Sequence, residues 1–237
     1  MPSDLYGFSG NEVVSYVQNW IGNQDSDFQS LVQQTLPLAE FRFCKVHDWS
    51  FLHKQNLSLT VASGTNEYAL SVANLGYYMA ASDVESVFST ANNRYLQKKT
   101  LDEIRRMDPN VGDGTSASAA LAWAPVGDNT IVIYPPNFSD TTLKIDGKVK
   151  PSALSTLTNY PTIPYHRQDS FIQYVLALCL ARENDDRANS MKAEAMELIK
   201  QDIQDDMRNL ADSEDARIKH AAEAVSALVE FDPLNML

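Results

Sequence analysis

Residues 163–210, IPYHRQDSFIQYVLALCLARENDDRANSMKAEAMELIKQDIQDDMRNL, decide the fold. Pro164 restricts Ile163 to extended backbone and so marks the end of an irregular segment. From Ser170 the apolar residues fall at Phe171, Ile172, Val175, Leu176, Leu178, Cys179 and Leu180. They cover most of a helix circumference, which predicts a helix buried on more than one side. Asn184-Asp185-Asp186 breaks that pattern. Beyond it Ala188, Met191, Ala195, Ile199, Ile203, Met207 and Leu210 recur every three or four residues, with charges elsewhere. This is a single-stripe helix lying against the first. The pair forms a helical hairpin, a docking unit with no catalytic group at its centre.

Working outward, Glu12 to Ile21 places Val13, Val14, Val17, Trp20 and Ile21 on one helical face, and Gly22 stops it. A second helix starts near Ser26 with the stripe Phe28, Leu31, Val32, Leu36, Ala39, Phe43 and Val46. Pro37 lies inside it and is expected to kink or divide it by removing a backbone donor. Asp48-Trp49 closes this helical part. The period then changes. Leu57, Leu59 and Val61 alternate with polar residues, and Ser63-Gly64-Thr65 turns the chain before Tyr68 and Leu70. Val84 to Phe88 and Tyr95 to Leu96 read as short strands. Thr100-Leu101-Asp102-Glu103 is a capping-box pattern opening a short helix that Asp108-Pro109 ends.

Gly112 to Ser116 reads as a loop, followed by strands at about Ala117–Trp123, Thr130–Tyr134 and Thr142–Ile145. Gly127-Asp128 joins the first two, and Tyr134-Pro135-Pro136 ends the second, because proline cannot donate to a ladder. One more amphipathic helix carries Ile218, Ala221, Ala222, Val225 and Leu228 or Val229. Asp232-Pro233 stops it, leaving Leu234-Asn235-Met236-Leu237 as an apolar tip. The pattern predicts an α+β fold, a terminal α-helical bundle with an inserted β-rich region. Its parts are N-terminal helices over 1–54, the insertion over 55–150, the hairpin over 151–212 and a C-terminal helix and tail over 213–237.

The chain of 237 residues is long enough for a sizeable core. No run approaches the roughly 18 apolar residues that span a bilayer, and Met1-Pro2-Ser3-Asp4 lacks the basic start of a secretory signal. Cys44 and Cys179 stand far apart in apolar helical settings, so both are expected as buried thiols in a reducing compartment. Formal net charge is −12, divided as −4 over residues 1–50, −1 over 51–166 and −7 over 167–237. Tight binding to a phosphate backbone needs clustered Lys and Arg, and a basic face for membranes is equally missing. An acidic surface gives solubility, and it would also let DNA pass without sticking.

Catalytic signatures are scarce. His47, His53, His166 and His220 form neither HExxH nor a close ligand cluster. His47 beside Asp48 has the types of a base and its orienter, but nothing nearby supplies a nucleophile, and a structural role is expected. The serines lack a GxSxG elbow. No GK[ST] follows Gly112 to Ser116, so that loop is not a phosphate cradle. Adjacent residues on a helix point about 100° apart, so Asp102 with Glu103 and Asp185 with Asp186 are caps rather than dyads sharing a proton. Catalytic, cofactor-binding and metal-binding residues are all expected to be none. Lys98, Lys99, Arg105 and Arg106 form the one basic concentration, either a solvated face or a contact to an acidic neighbouring subunit or DNA. Trp20, Trp49 and Trp123 are expected as packing residues, with binding hot spots as the alternative.

Several of these stretches also resemble a family. Residues 163–199, with their Pro-Tyr-His lead-in, apolar helix, acidic turn and long helix, are similar to the C-terminal hairpin of head-to-tail adaptor (connector, head-completion) proteins of tailed bacteriophages. AEFRFCKVHDWSFLHKQNLSLTVASGTNEYAL resembles the same family's helix ending at Asp-Trp and leading into a hairpin with a Gly-Thr-x-x-Tyr turn. NTIVIYPPNFSDTTLKIDGKVKPSALS resembles its later strand pair. The resemblance covers roughly residues 28–200, and order and spacing carry it. It implies a virion protein of the neck, made in the host cytoplasm, forming a homo-oligomeric ring, usually dodecameric, beneath the portal. Tail proteins (nozzle, hub or stopper) and passing DNA are its implied partners, with no cofactor. Ile218, Val225, Leu228, Leu234, Met236 and Leu237 are then the expected portal-docking residues. A hydrolase with an unrecognised site and a non-viral scaffold or binding module remain the alternatives.

Overall fold

The computed structural model describes residues 7–62, 64–107, 120–135, 142–151 and 157–211. Along the chain come α1 (Gly10–Ile21), α2 (Ser26–Val46), β1 (His53–Thr60), β2 (Glu67–Ala69), α3 (Val72–Leu75), β3 (Met79–Ser89), β4 (Arg94–Tyr95) and β5 (Gln97–Lys98). Then follow α4 (Leu101–Met107), β6 (Ala122–Val126), β7 (Thr130–Tyr134), β8 (Thr142–Val149), α5 (Gln168–Arg182) and α6 (Ala188–Ala211). The architecture is mixed α+β: N- and C-terminal helices pack together, with two four-stranded sheets between them in sequence. Two compact units result, one from Met1–Phe51 with Pro151–Leu237 and one from Leu52–Lys150.

The helical unit is built around α5, which packs on α6, α2 and α1. Phe171, Ile172, Tyr174 and every residue from Val175 to Leu180 are buried, as expected of a helix apolar all round. α6 gives one stripe, Met191, Ala195, Ile199 and Ile203. Each large apolar side chain so buried contributes about 1.5–3 kcal/mol. α1 starts in a full capping box: Glu12 N donates to Ser9 Oγ, and Ser9 N donates to Glu12 Oε2 at 2.7 Å. It stops at Gly22, where φ of +78° suits a residue without a side chain. α2 runs undivided through Pro37, because the packing of Leu36 before the proline and of Ala39, Phe43 and Cys44 beyond it holds the helix together. Cys44 and Cys179 are buried thiols that form no disulfide.

The sheet unit has one sheet in the order β1-β8-β3-β4 and another in the order β2-β7-β6-β5. Leu59, Met79, Val87, Leu143 and Ile145 from the first share one core with Tyr68, Trp123, Ile131 and Ile133 from the second. On the opposite face of the second sheet, Ile104 and Leu101 of α4 pack on Ala124 and Val132. α4 opens in the expected capping box, with Thr100 N donating to Glu103 Oε2 at 2.7 Å and Glu103 N donating to Thr100 Oγ1 at 3.2 Å.

Several strands differ from their expected bounds, and the one read at Tyr95 to Leu96 is two, β4 ending at Tyr95 and β5 beginning at Gln97. β8 continues past Ile145 to Val149. Asp146-Gly147 has the composition of a turn, yet Gly147 is a strand residue at which a Cβ would run into the Asp83 carbonyl. β3 begins at Met79 instead of Val84, bent by irregular register against β8. β6 spans Ala122–Val126, and 117–119 lie outside the described residues. Pro125 is tolerated there because Trp123 O accepts from Lys99 N on the β5 side. The missing donor of Pro125 points to that same side, past the end of two-residue β5.

Candidate functional site

The densest polar cluster lies inside the helical unit, where the end of α2, the turn at Ser50, the start of α5 and the end of α6 converge on Asp206. This carboxylate is fully buried and accepts from Arg167 Nη2 at 2.6 Å, from Ser50 N at 3.0 Å and from Ser50 Oγ at 2.5 Å. His47 Nε2 stands 3.3 Å from Asp206 Oδ2, the oxygen that accepts from Ser50 N, without hydrogen-bond alignment. Burial pushes the Asp206 carboxyl up, but His47, Ser50 and Arg167 together outweigh it and hold it below the usual range. Arg167 also donates to the Asp202 carbonyl at 2.7 Å and lies 4.7 Å above the Trp49 ring. Trp49 stacks with Phe43 (5.1 Å) and Phe51 (5.7 Å), with Trp49 Nε1 donating to Phe43 O at 2.9 Å.

Serine, histidine and aspartate therefore meet here, but in the wrong order for nucleophilic catalysis. A triad needs histidine between serine and carboxylate, ready to take the hydroxyl proton. Here the carboxylate stands in the middle and binds both. Asp206 itself is completely enclosed, whereas Ser50 is half-buried. The arrangement pins four chain segments together. His47 pairs across the unit with Asp206. The available signal was the position of Asp206, three residues beyond Ile203 on the apolar stripe of α6. Nothing in the sequence marked Arg167 as its partner.

Other acids are also tied to neighbouring segments or turns. Glu40 accepts from Thr162 N at 2.5 Å, and burial raises its carboxyl. Asp202, whose carboxyl burial also raises, accepts from Ser170 Oγ. Burial pushes the Cys179 thiol up to about 12, so it carries no thiolate. Asp185 binds Arg187 at 2.8 Å, which holds its carboxyl down to about 2. Among the described residues no group of three or more His, Cys, Asp and Glu could hold a metal ion. No described helix is long and apolar enough to cross a membrane.

The structure separates the basic residues singled out in the sequence. Lys98 is tied to its own unit, donating to Val84 O at 3.1 Å and lying 4.9 Å above the Trp123 ring. Arg105 and Arg106 are exposed in the last turn of α4. Lys99 instead lines an open groove of about 340 Å³ with Arg94, Tyr95, Gln97, Leu121 and Tyr134. Tyr95 is 65% exposed and Leu121 44% exposed. Arg94 and the two tyrosines were not legible as site residues, because β4, β5 and the ends of β6 and β7 join only in the fold. Of the tryptophans, Trp49 and Trp123 are core residues, whereas Trp20 is 39% exposed. Ile218, Val225, Leu228, Leu234, Met236 and Leu237 lie outside the described residues, as do His220 and the loop at Gly112 to Ser116.

Among the described residues, the buried polar groups pin chain segments together, and one open groove lies at the edge of the second sheet. Residues 10–222 match the family model of the SU10 adaptor protein, and the chain belongs to this family of phage head-tail adaptors. No curated protein matches it.

Proposed function

We propose that the protein forms a ring, dodecameric as in the adaptors it resembles, seated between the portal and the tail and lengthening the channel through which DNA passes. Family membership over nearly the whole chain carries this reading. Net charge of −12 per copy supports a lumen that repels phosphate. The same charge sets rings of copies against self-repulsion, so a free chain is expected to be monomeric and to close its ring on the portal. The C-terminal segment from about Ser213, with Ile218, Val225, Leu228, Leu234, Met236 and Leu237, is the proposed portal anchor, ordering as it binds. Sedimentation with and without portal protein, at low and moderate salt, tests the first part. A large oligomer of isolated chain at low salt refutes template dependence. Deleting 212–237 tests the anchor: melting is expected to stay near wild type while portal attachment is lost. A truncated chain that still attaches moves the contact to the folded units.

A further inference from the structure

We propose that the groove beside β4 and β5 is a socket for the acidic end of the helical unit of a second copy of this chain, a contact that rests on the ring reading above. The socket presents Arg94 and Lys99 with Tyr95, Tyr134 and Leu121, and no carboxylate lines it. Arg94 gives one N–H to the Ala120 carbonyl at 3.2 Å, one of the five donors of a guanidinium. In a chain of net charge −12 this is a local reversal of sign.

Its counterpart lies where α5 turns into α6. Arg187 sits 5.6 Å above the Trp20 ring, which brings that turn beside the end of α1 and the short link into α2. Exposed Glu183 and Asp186 come from the first, exposed Asp25 from the link and exposed Asp27 from the first turn of α2. The guanidinium among them is already held by Asp185 at 2.8 Å. Trp20 and Tyr16, one turn apart on α1, are 39% and 40% exposed and share a face. The plug is thus carboxylates around aromatic rings, and the socket is cations around aromatic rings. Complementary charge of this kind fixes partner and register, and exposed aromatics supply contact area.

Two cations are too few to hold a duplex, whose affinity grows with each phosphate neutralised, so a protein partner is favoured over DNA. A plug on one unit and a socket on the other also make the contact heterologous. Such contacts propagate from copy to copy and close into rings, where a self-complementary patch would stop at a pair.

The test uses full-length chains mixed with portal protein, read by sedimentation and native mass spectrometry. One variant carries R94E and K99E, the other E183K and D186K. All four side chains are at least partly exposed, so wild-type melting is expected. If R94E disturbs the sheet unit, R94Q with K99Q takes its place. Each variant alone is expected to lose at least tenfold in ring yield, because socket and plug then carry like charge. Their equimolar mixture is expected to recover rings with the two variants alternating, since every contact is then matched. Variants that each assemble like wild type, or a mixture no better than its parts, overturn the proposal. So does a socket variant that keeps its rings but loses duplex binding shown by wild type, which would make the groove a nucleic-acid site. Wild-type chain that stays monomeric on the portal overturns the ring reading and this one together. Wild-type rings with indifferent variants overturn this one alone.

Discussion

Asp206 has no exposed surface, and four groups from three other segments converge on it. Breaking a buried ion pair by removing one charge leaves the other uncompensated, at about 3–5 kcal/mol. Asp206→Asn, which keeps shape but strands Arg167, is therefore expected to lower stability by about that amount in urea unfolding at pH 7. A loss below about 1 kcal/mol would be that of an exposed pair and would contradict the burial. The folded Asp206 carboxyl titrates below its unfolded value, so its contribution is present at neutral pH and is lost as pH falls through the folded pKa. Glu40 has the opposite sign. Burial raises its folded pKa, so its contribution is greatest in acid and is lost as pH rises through that raised value. Relative to wild type, Glu40→Gln should thus become more favourable between pH 4 and pH 8, read as melting temperature at each pH. An offset that does not change with pH would show Glu40 titrating normally. The partners of neither acid were legible, because a carboxylate's partners come from other segments of the chain.

The helices were legible because their signal is long and repetitive. α5 is apolar on nearly all sides and α6 on one, and burial follows those patterns through Met191, Ala195, Ile199 and Ile203, with Ala188 and Met207 half-buried. Leu176→Asp would place a carboxylate without a partner in the centre of the helical unit, at several kcal/mol, ~4 or more. Soluble protein melting cooperatively near the wild-type temperature would contradict that placement. Strands are shorter and their bounds depend on neighbours. β5 has two residues, too few for any period, and exists because Gln97 and Lys99 donate to Leu121 and Trp123 carbonyls. β8 overran its expected end because Asp146-Gly147 has turn chemistry while the approach of Asp83 requires a glycine in the strand. Gly147→Ala should cost about 1–3 kcal/mol through overpacking, seen in thermal unfolding. An unchanged melt would show that β3 can move away.

For the whole molecule, the α+β class was legible from the change of period after Trp49 and its return at Pro164, while the groove was not, since its residues meet only after the second sheet assembles. DNA binding is a property of the whole charge distribution. Wild-type chain is expected to hold duplex no more tightly than non-specific contacts, about 10⁻⁴–10⁻⁶ M at physiological salt, in a fluorescence anisotropy titration. Sub-micromolar binding abolished by changing Lys98, Lys99, Arg105 and Arg106 to Ala would overturn the passive channel. The sheet unit has its own core and its own ladders, so residues 52–150 produced alone are expected to fold and melt cooperatively. A fragment without cooperative unfolding would show that its two sheets depend on the helices.

His53 pairs with Lys148 across β1 and β8, so the chain enters and leaves the sheet unit through neighbouring strands. Two ends held one strand spacing apart behave as a cassette joint. An inserted unit joined in this way can be lengthened, shortened or exchanged in evolution while the helices on either side keep their positions. Among adaptors fitted to different tails, divergence in length and surface is therefore expected to gather between Leu52 and Lys150, and the pinned contacts of Asp206 to be inherited as the fixed frame.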